Sequence, residues 1–133
     1  VHIKDNCFEG TQDYALTPLK AKNMIISRNK FKNCKGGIRF LGVKDGKNAA
    51  DPVTGKVMES QAGENFSVIG NHFIGEMKKD AIHIRSYNNI KHQQVFIAGN
   101  TFDKASQTIH LEDIEDLTLN QGEDVTIKKI NVD

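Results

Sequence analysis

The chain has 133 residues, a formal net charge of +1, 38% hydrophobic residues and 26% charged residues. This balance is typical of one globular domain: it is too apolar for a disordered chain, and its apolar runs are too short to span a bilayer. The near-neutral charge gives no reason to expect nucleic-acid binding. The sequence starts at Val1 inside a strand-like pattern without a signal peptide, so we expect a segment of a longer protein.

An internal repeat organises the chain from its N-terminus onward. The shared pattern is an apolar residue, any residue, an apolar residue, two residues of any kind, Asn, any residue and Phe. Four segments match this pattern: 1–8, 24–31, 66–73 and 95–102. Segment 125–132 is a weaker fifth copy, with Ile130 in place of Asn and Val132 in place of Phe. The repeat recurs every 23 to 30 residues, apart from one interval of 42.

Stacking of the copies predicts two columns of equivalent side chains. In a parallel solenoid, equivalent residues of successive turns lie about 4.8 Å apart. One column would fill the core and consists of Phe8, Phe31, Phe73 and Phe102. The other would lie at a bend and consists of Asn6, Asn29, Asn71 and Asn100. We expect each Asn to adopt a left-handed backbone conformation and to bond through its amide to the next Asn.

A second set of short segments alternates apolar and polar residues, as half-buried strands do. Its clear members are 38–40, 82–84 and 109–111, and segment 14–17 is a poorer first member. The outward positions in this alignment are Leu16, Arg39, His83 and His110, followed two residues later by Pro18, Leu41, Arg85 and Glu112. We therefore predict one outward patch, which consists of Arg39, His83, Arg85, His110 and Glu112.

The long interval in the repeat predicts an inserted loop at about 43–64 within a single domain that spans 1–133. The insertion is polar, and insertions at one corner of a solenoid usually gather on its binding face. Two interpretations stay open for it. It could form a wall of a substrate cleft, or it could be a surface loop that the fold tolerates.

The Asn-x-Phe turns and Ile-x-Ile strands resemble the right-handed parallel β-helix of the pectate-lyase-like superfamily. The resemblance covers nearly the whole chain outside the insertion, and it is specific for the fold but not for an activity. It implies an all-β solenoid of about four to five turns, short for that family and a fragment of a longer helix. Polysaccharide lyases, hydrolases and phage tailspikes share this fold. The resemblance thus implies an extracellular, cell-surface or virion location and leaves open a homotrimer of the parent protein.

The outward patch suits an acidic polysaccharide, because Arg can bind a uronate carboxylate through two hydrogen bonds and His can transfer a proton. In a lyase, His83 or His110 would be the base, and Arg39 or Arg85 would neutralise the charge that develops on the substrate. Arg85 and Glu112 would also contact the bound sugar chain.

A hydrolase would instead need two opposed carboxylates, for which Asp80 and Glu112 are the pair left open. We expect no metal centre, because the chain lacks the His-x-x-x-His and Cys-x-x-Cys spacings of zinc sites. Some lyases with this fold use Ca²⁺, but the sequence assigns no ligands to it.

Three functions therefore stay open: an enzyme that cleaves an acidic polysaccharide, a glycan-binding adhesin or tail-fibre segment without activity, and a rigid spacer. A solvated sheet face would also carry Arg and His, and Arg85 beside Glu112 could be a simple cross-strand ion pair. We expect neither a nucleic acid nor a membrane as a partner.

Overall fold

A computed structural model describes residues 1–44, 46–50, 52–55, 57–104 and 107–133. These residues form strands that pair mostly in parallel, and none of them lies in a helix, so none forms a helix able to cross a membrane. The strands are β1 (His2–Lys4), β2 (Cys7–Glu9), β3 (Tyr14–Leu16), β4 (Lys22–Ser27), β5 (Lys30–Lys32), β6 (Gly36–Leu41), β7 (Gly46–Ala50), β8 (Val57–Met58), β9 (Glu64–Ile69), β10 (His72–Ile74), β11 (Ile82–Arg85), β12 (His92–Ala98), β13 (Thr101–Phe102), β14 (Thr108–Asn120) and β15 (Thr126–Val132). The expectation of an all-β, mainly parallel fold is confirmed.

The parallel strands form three ladders, which the chain visits in turn. The first ladder contains β1, β4, β9, β12 and the second half of β14. The second ladder contains β3, β6, β11, the first half of β14, and β15. The short ladder contains β2, β5, β10 and β13. Because β14 belongs to two ladders, one sheet curls around the core, and this connectivity is compatible with a solenoid.

The predicted insertion contains the only antiparallel strand pair within the described ranges, β7 with β8. The insertion begins and ends close together, because Val43 and Gln61 exchange backbone hydrogen bonds of 2.7 and 2.9 Å. Its residues Asp45, Asp51 and Lys56 lie outside the described part of the chain. The choice between a cleft wall and a tolerated loop therefore stays a prediction.

The predicted Phe column is present in the core. Neighbouring ring centroids are 5.2, 4.9 and 5.1 Å apart, and the ring planes differ by at most 18°. Phe31 and Phe73 in the middle of the column are completely buried. Burial of such side chains contributes about 1.5 to 3 kcal/mol each, so the repeated Phe both fills the core and stabilises the stacking.

The predicted Asn column is also present, and its amides bond in series. Nδ2 of Asn6 donates to Oδ1 of Asn29 at 3.1 Å, Asn29 donates to Asn71 at 3.1 Å, and Asn71 donates to Asn100 at 3.0 Å. The same acceptor oxygens receive the backbone N–H groups of Asn6, Asn29 and Asn71 at 2.9 to 3.0 Å. The amide ladder therefore satisfies backbone donors that the bend would otherwise leave unpaired.

The left-handed conformation that we expected at each Asn belongs to the preceding residue, so that part of the prediction was wrong. The φ angles of Asp5, Arg28, Gly70 and Gly99 are 57°, 52°, 66° and 64°. The chain thus changes direction one residue before each Asn, which leaves the Asn side chain directed along the stack where the next amide can reach it.

The weak fifth copy at 125–132 was assigned to the wrong ladder. Strand β15 pairs with the first half of β14 in the second ladder, which places Lys128 beside His110. The second half of β14 continues the first ladder, and Gln121 follows it. Nδ2 of Asn100 donates to Oε1 of Gln121 at 2.8 Å. Gln121 is level with Gly99, one residue before the position equivalent to Asn100. Its side chain is one methylene group longer than that of Asn and so reaches the Asn100 amide.

A further column of left-handed residues lies within the first ladder and was not predicted. Its members occupy one level of the register, with φ between 52° and 64°: Asn23, Asn65, Gln94 and Asp116. Nδ2 of Asn65 donates to Oδ1 of Asn23 at 2.8 Å. All four strands therefore bend at the same place, which keeps the ladder in register through the bend.

His92 is a completely buried side chain with both ring nitrogens bonded. Its Nδ1 accepts the backbone N–H of Gly63 at 2.8 Å, so Nε2 carries the proton and donates to the Arg85 carbonyl at 2.7 Å. Burial lowers the pKa of His92, although the Arg85 carbonyl and the Asp113 carboxylate act in the opposite direction. The folded chain therefore holds this imidazole neutral.

We predict that the Asn71→Ala substitution lowers the free energy of unfolding by about 3 to 5 kcal/mol, because it leaves several buried donors and acceptors unpaired. Among these are the Ile26 carbonyl and the Asn29 backbone N–H. The matched control is Asn6→Ala at the exposed end of the ladder, for which we expect about 1 kcal/mol or less. Urea denaturation of both variants checks this, and equal losses would contradict the role of the buried amides.

We predict that stability falls as the pH drops below about 6.5, the ordinary histidine pKa, because the unfolded chain then binds a proton at His92 that the folded chain does not. The His92→Asn variant should be less stable at pH 7.5 but should lose less stability on acidification. The difference in slope should approach about 1.4 kcal/mol per pH unit. Urea denaturation between pH 7.5 and 5.5 measures both slopes, and parallel slopes would refute the assignment.

Candidate functional site

His83 and His110 stack on the outer face of the second ladder. They are direct partners in the β11–β14 register, and Arg39 lies beside His83 on the other side in β6. The two imidazole centroids are 4.5 Å apart, with planes within 7° of parallel. Their side chains are only 18% and 15% exposed. The structure therefore brings together the three residues that the sequence suggested for catalysis.

Each imidazole has its own carboxylate partner. Nδ1 of His83 lies 2.7 Å from Oδ2 of Asp80, and Nε2 of His110 lies 3.0 Å from Oε1 of Glu112. A carboxylate at Nδ1 favours the tautomer with its proton there, which leaves Nε2 of His83 able to accept a proton. Asp80 stands three residues before His83, in the loop that leads into β11, so the alternation of the ladder did not predict it.

The cationic head of Arg39 is held by an aromatic ring. Its Cζ lies 4.8 Å from the ring centroid of Tyr14, and Nζ of Lys79 lies 5.5 Å from the same centroid. Within the described part of the chain, the buried Nε of Arg39 has no hydrogen-bond partner. A guanidinium held through a cation–π contact keeps its donors for another anion.

Tyr14 fits against the second ladder because Gly36 has no side chain. A Cβ atom at Gly36 would lie 2.6 Å from Cδ1 of Tyr14, closer than real Cβ contacts. Burial raises the pKa of the Tyr14 phenol, and the Asp80 carboxylate adds to the rise. Lys79 also bonds to Asp13 at 2.7 Å and thereby lowers the pKa of the Asp13 carboxyl. Tyr14 and Lys79 were both missed as site residues.

The predicted alignment of the first member of this ladder was shifted by one residue. Leu16 pairs with Ile38 and not with Arg39, so neither Leu16 nor Pro18 takes the outward position that we expected for it. A three-residue strand contains too little alternation to define its register, and a shift of one residue exchanges the two faces.

Arg85 lies on the same strand as His83 and is exposed, with its Cζ 5.5 Å from the ring centroid of Tyr87. The cross-strand ion pair between Arg85 and Glu112 is absent among the described side chains, because Glu112 bonds to His110. Leu41, the register partner of Arg85, and Tyr87 both line a cavity of about 400 Å³ at the base of the insertion. Arg85 therefore stands next to a partly apolar groove.

The outward column continues past His110 to Lys128, its register partner in β15. This residue was missed because 125–132 was read as a copy of the first ladder. The column thus runs Arg39, His83, His110 and Lys128, one residue from each of four neighbouring strands. Cations at both ends of a pair of imidazoles make this face suited to an extended anion.

Asp80, His83 and His110 each place one metal-ligating atom within 4.8 Å of the others. The expectation of no metal centre was based on spacings within one segment. Such a search cannot detect ligands that come from two neighbouring strands and the loop before one of them.

Comparisons with known proteins supply no relative: no protein-family model matches the chain, and neither the curated proteins nor the solved structures contain a match. The function must therefore be argued from this site itself.

Proposed function

We propose that this chain is a segment of a right-handed parallel β-helix of about four to five turns, similar to the pectate-lyase-like proteins. We further propose that it binds an acidic polysaccharide on the outer face of the second ladder and cleaves it by β-elimination. The observation that carries this proposal is the Asp80–His83 pair, at 2.7 Å, with Arg39 as the register partner of His83 on the neighbouring strand. The parent protein would then act outside the cell, at a cell surface or on a virion, and any homotrimer would form through that parent protein.

Substrate binding would use Arg39, Arg85 and Lys128, which form no ion pair within the described part of the chain. Strands in a ladder are about 4.8 Å apart, so the column from Arg39 to Lys128 extends about 14 Å and can contact several units of an extended sugar chain. Arg85 would bind a uronate carboxylate through two hydrogen bonds, and the Tyr87 ring beneath it offers an apolar surface for a sugar ring.

In the cleavage step, Nε2 of His83 would remove the proton from the carbon next to the uronate carboxylate. The electron pair of that C–H bond forms a double bond to the neighbouring carbon, and the glycosidic oxygen leaves that carbon and takes up a proton. Arg39 would stabilise the negative charge that builds up on the carboxylate, while Asp80 stabilises the imidazolium. His110, paired with Glu112, is the alternative base.

A glycan-binding module without activity is the second candidate, because the cationic residues Arg39, Arg85 and Lys128 support binding whether or not His83 acts as a base. Hydrolysis has less support, because Asp80 and Glu112 each bond to an imidazole and neither stands as a free acid or base. A rigid spacer would not need Arg39 and Arg85 on one face, where neither pairs with a carboxylate among the residues that the structure describes.

We predict that the His83→Asn variant loses at least 100-fold of the cleavage rate on uronate polymers, because general-base catalysis contributes about 10²- to 10⁴-fold. The unsaturated product is followed by its ultraviolet absorbance, and polymer binding, measured by affinity electrophoresis, should stay within about twofold. The matched control is His72→Asn, which removes an imidazole paired with Asp103 at 3.0 Å on the short ladder. That control should keep both activities.

Other outcomes separate the alternatives. Cleavage at the wild-type rate by the His83→Asn variant would show that His83 is not the base. Absence of cleavage by the wild-type chain, with binding that Arg39→Gln and Arg85→Gln abolish, would favour the binding module. Absence of both cleavage and binding would favour the spacer.

A further inference from the structure

The Asp80–His83–His110 cluster has the composition of a transition-metal site. Two imidazoles and one carboxylate are the protein ligands of several catalytic zinc and non-haem iron sites, in which further positions stay open to water or substrate. The three side chains are partly buried, and one ligating atom of each lies within 4.8 Å of the others. We propose that this cluster binds one divalent transition-metal ion, with Zn²⁺ as the representative cation.

Metal binding would require the two imidazoles to rotate out of their parallel stack, because rings 4.5 Å apart and within 7° of parallel cannot both direct a nitrogen lone pair at one ion. Metal–ligand bonds of about 2.0 to 2.2 Å in a tetrahedral site place two ligand atoms about 3.4 Å apart. The Asp80 oxygen and Nδ1 of His83 are already at 2.7 Å, and the remaining separations of up to 4.8 Å close by rotation of side chains. The metal would replace the proton that Asp80 and His83 share.

Glu112 supplies the outer support that metal-binding histidines usually have. Its Oε1 lies 3.0 Å from Nε2 of His110, so Nδ1 of His110 is the nitrogen that can bind the metal. A carboxylate behind a ligating imidazole holds the ring in place and increases its basicity. Asp80 and Glu112 together also balance the two positive charges of the ion, which offsets the presence of Arg39 beside His83.

The ligand set selects the kind of ion. Imidazole nitrogens favour Zn²⁺, Co²⁺, Ni²⁺ and Cu²⁺, whereas Ca²⁺ and Mg²⁺ require mainly oxygen ligands. Only Asp80 offers oxygen ligands in the cluster. The site should therefore discriminate strongly against Ca²⁺, the ion that the sequence left open.

This inference goes beyond the proposed function and uses the same imidazole. A metal ion on His83 would prevent it from accepting a proton, so Zn²⁺ should inhibit cleavage if His83 is the base. A chain that binds Zn²⁺ but cleaves no uronate polymer even when free of metal would refute the proposed function and leave the metal site intact. Cleavage by a chain that binds no Zn²⁺ would refute the metal site and leave the proposed function intact.

The test is calorimetric titration of the full chain with Zn²⁺ and with Ca²⁺, together with visible absorption spectra after addition of Co²⁺. We expect one Zn²⁺ per chain, at least 100-fold weaker binding of Ca²⁺ and Co²⁺ bands that Zn²⁺ abolishes. His83→Asn and His110→Asn should each weaken Zn²⁺ binding at least 100-fold, and Glu112→Gln should weaken it about 10- to 100-fold by loosening His110.

His72→Asn is again the control and should bind Zn²⁺ as the wild-type chain does. Absence of Zn²⁺ binding by the wild-type chain would overturn the proposal, and so would Zn²⁺ binding that the His83 and His110 variants retain. Because the spectra of the wild-type chain test the site directly, the proposal stays falsifiable even if one variant fails to fold.

Discussion

The buried amide ladder is the interaction on which the rest of the structure depends. Hydrophobic packing alone tolerates slippage between parallel strands, but a buried amide that misses its partner costs about 1 to 3 kcal/mol. Oδ1 of Asn71 and Oδ1 of Asn100 each accept two hydrogen bonds from the Asn of the previous turn. A shift of one residue would therefore break several hydrogen bonds at once. The ladder therefore determines which residues of successive turns lie side by side, including the outward pair His83 and His110 in the neighbouring ladder.

Features in which a side chain contacts its own copies could be predicted from the sequence. The Phe and Asn columns consist of identical residues, so the contact that stabilises them is also the pattern that reveals them. The prediction failed where a contact involves unlike residues. Gln121 continues the Asn column from a different register position. The left-handed residue before each Asn is Asp, Arg or Gly, and these residue types form no sequence pattern although they adopt the same backbone conformation.

The residues of the candidate site likewise divide into those that the repeat predicted and those that it did not. Arg39, His83 and His110 could be placed because they occupy a repeated position in paired strands. Asp80 and Lys79 come from the loop before β11, and Tyr14 comes from a strand of three residues. Their positions depend on the reach of individual side chains and, for Tyr14, on the space left by Gly36. No periodicity records such contacts, so the repeat predicted both imidazoles, Arg39, Arg85 and Glu112, but it did not place Asp80, Lys79 or Tyr14 beside them.

Tyr14 gives the Arg39 guanidinium a contact other than the Asp80 carboxylate, which bonds to His83. A direct Arg39–Asp80 pair would give Asp80 a partner stronger than a neutral imidazole, and His83 would lose the group that orients it. The aromatic face holds the guanidinium by cation–π attraction, which leaves Asp80 to His83 and the Arg39 donors to an incoming anion. A proton acceptor, a guanidinium and two partly buried imidazoles thus coexist on one face, with Asp80 bonded to His83 and Arg39 held against the Tyr14 ring.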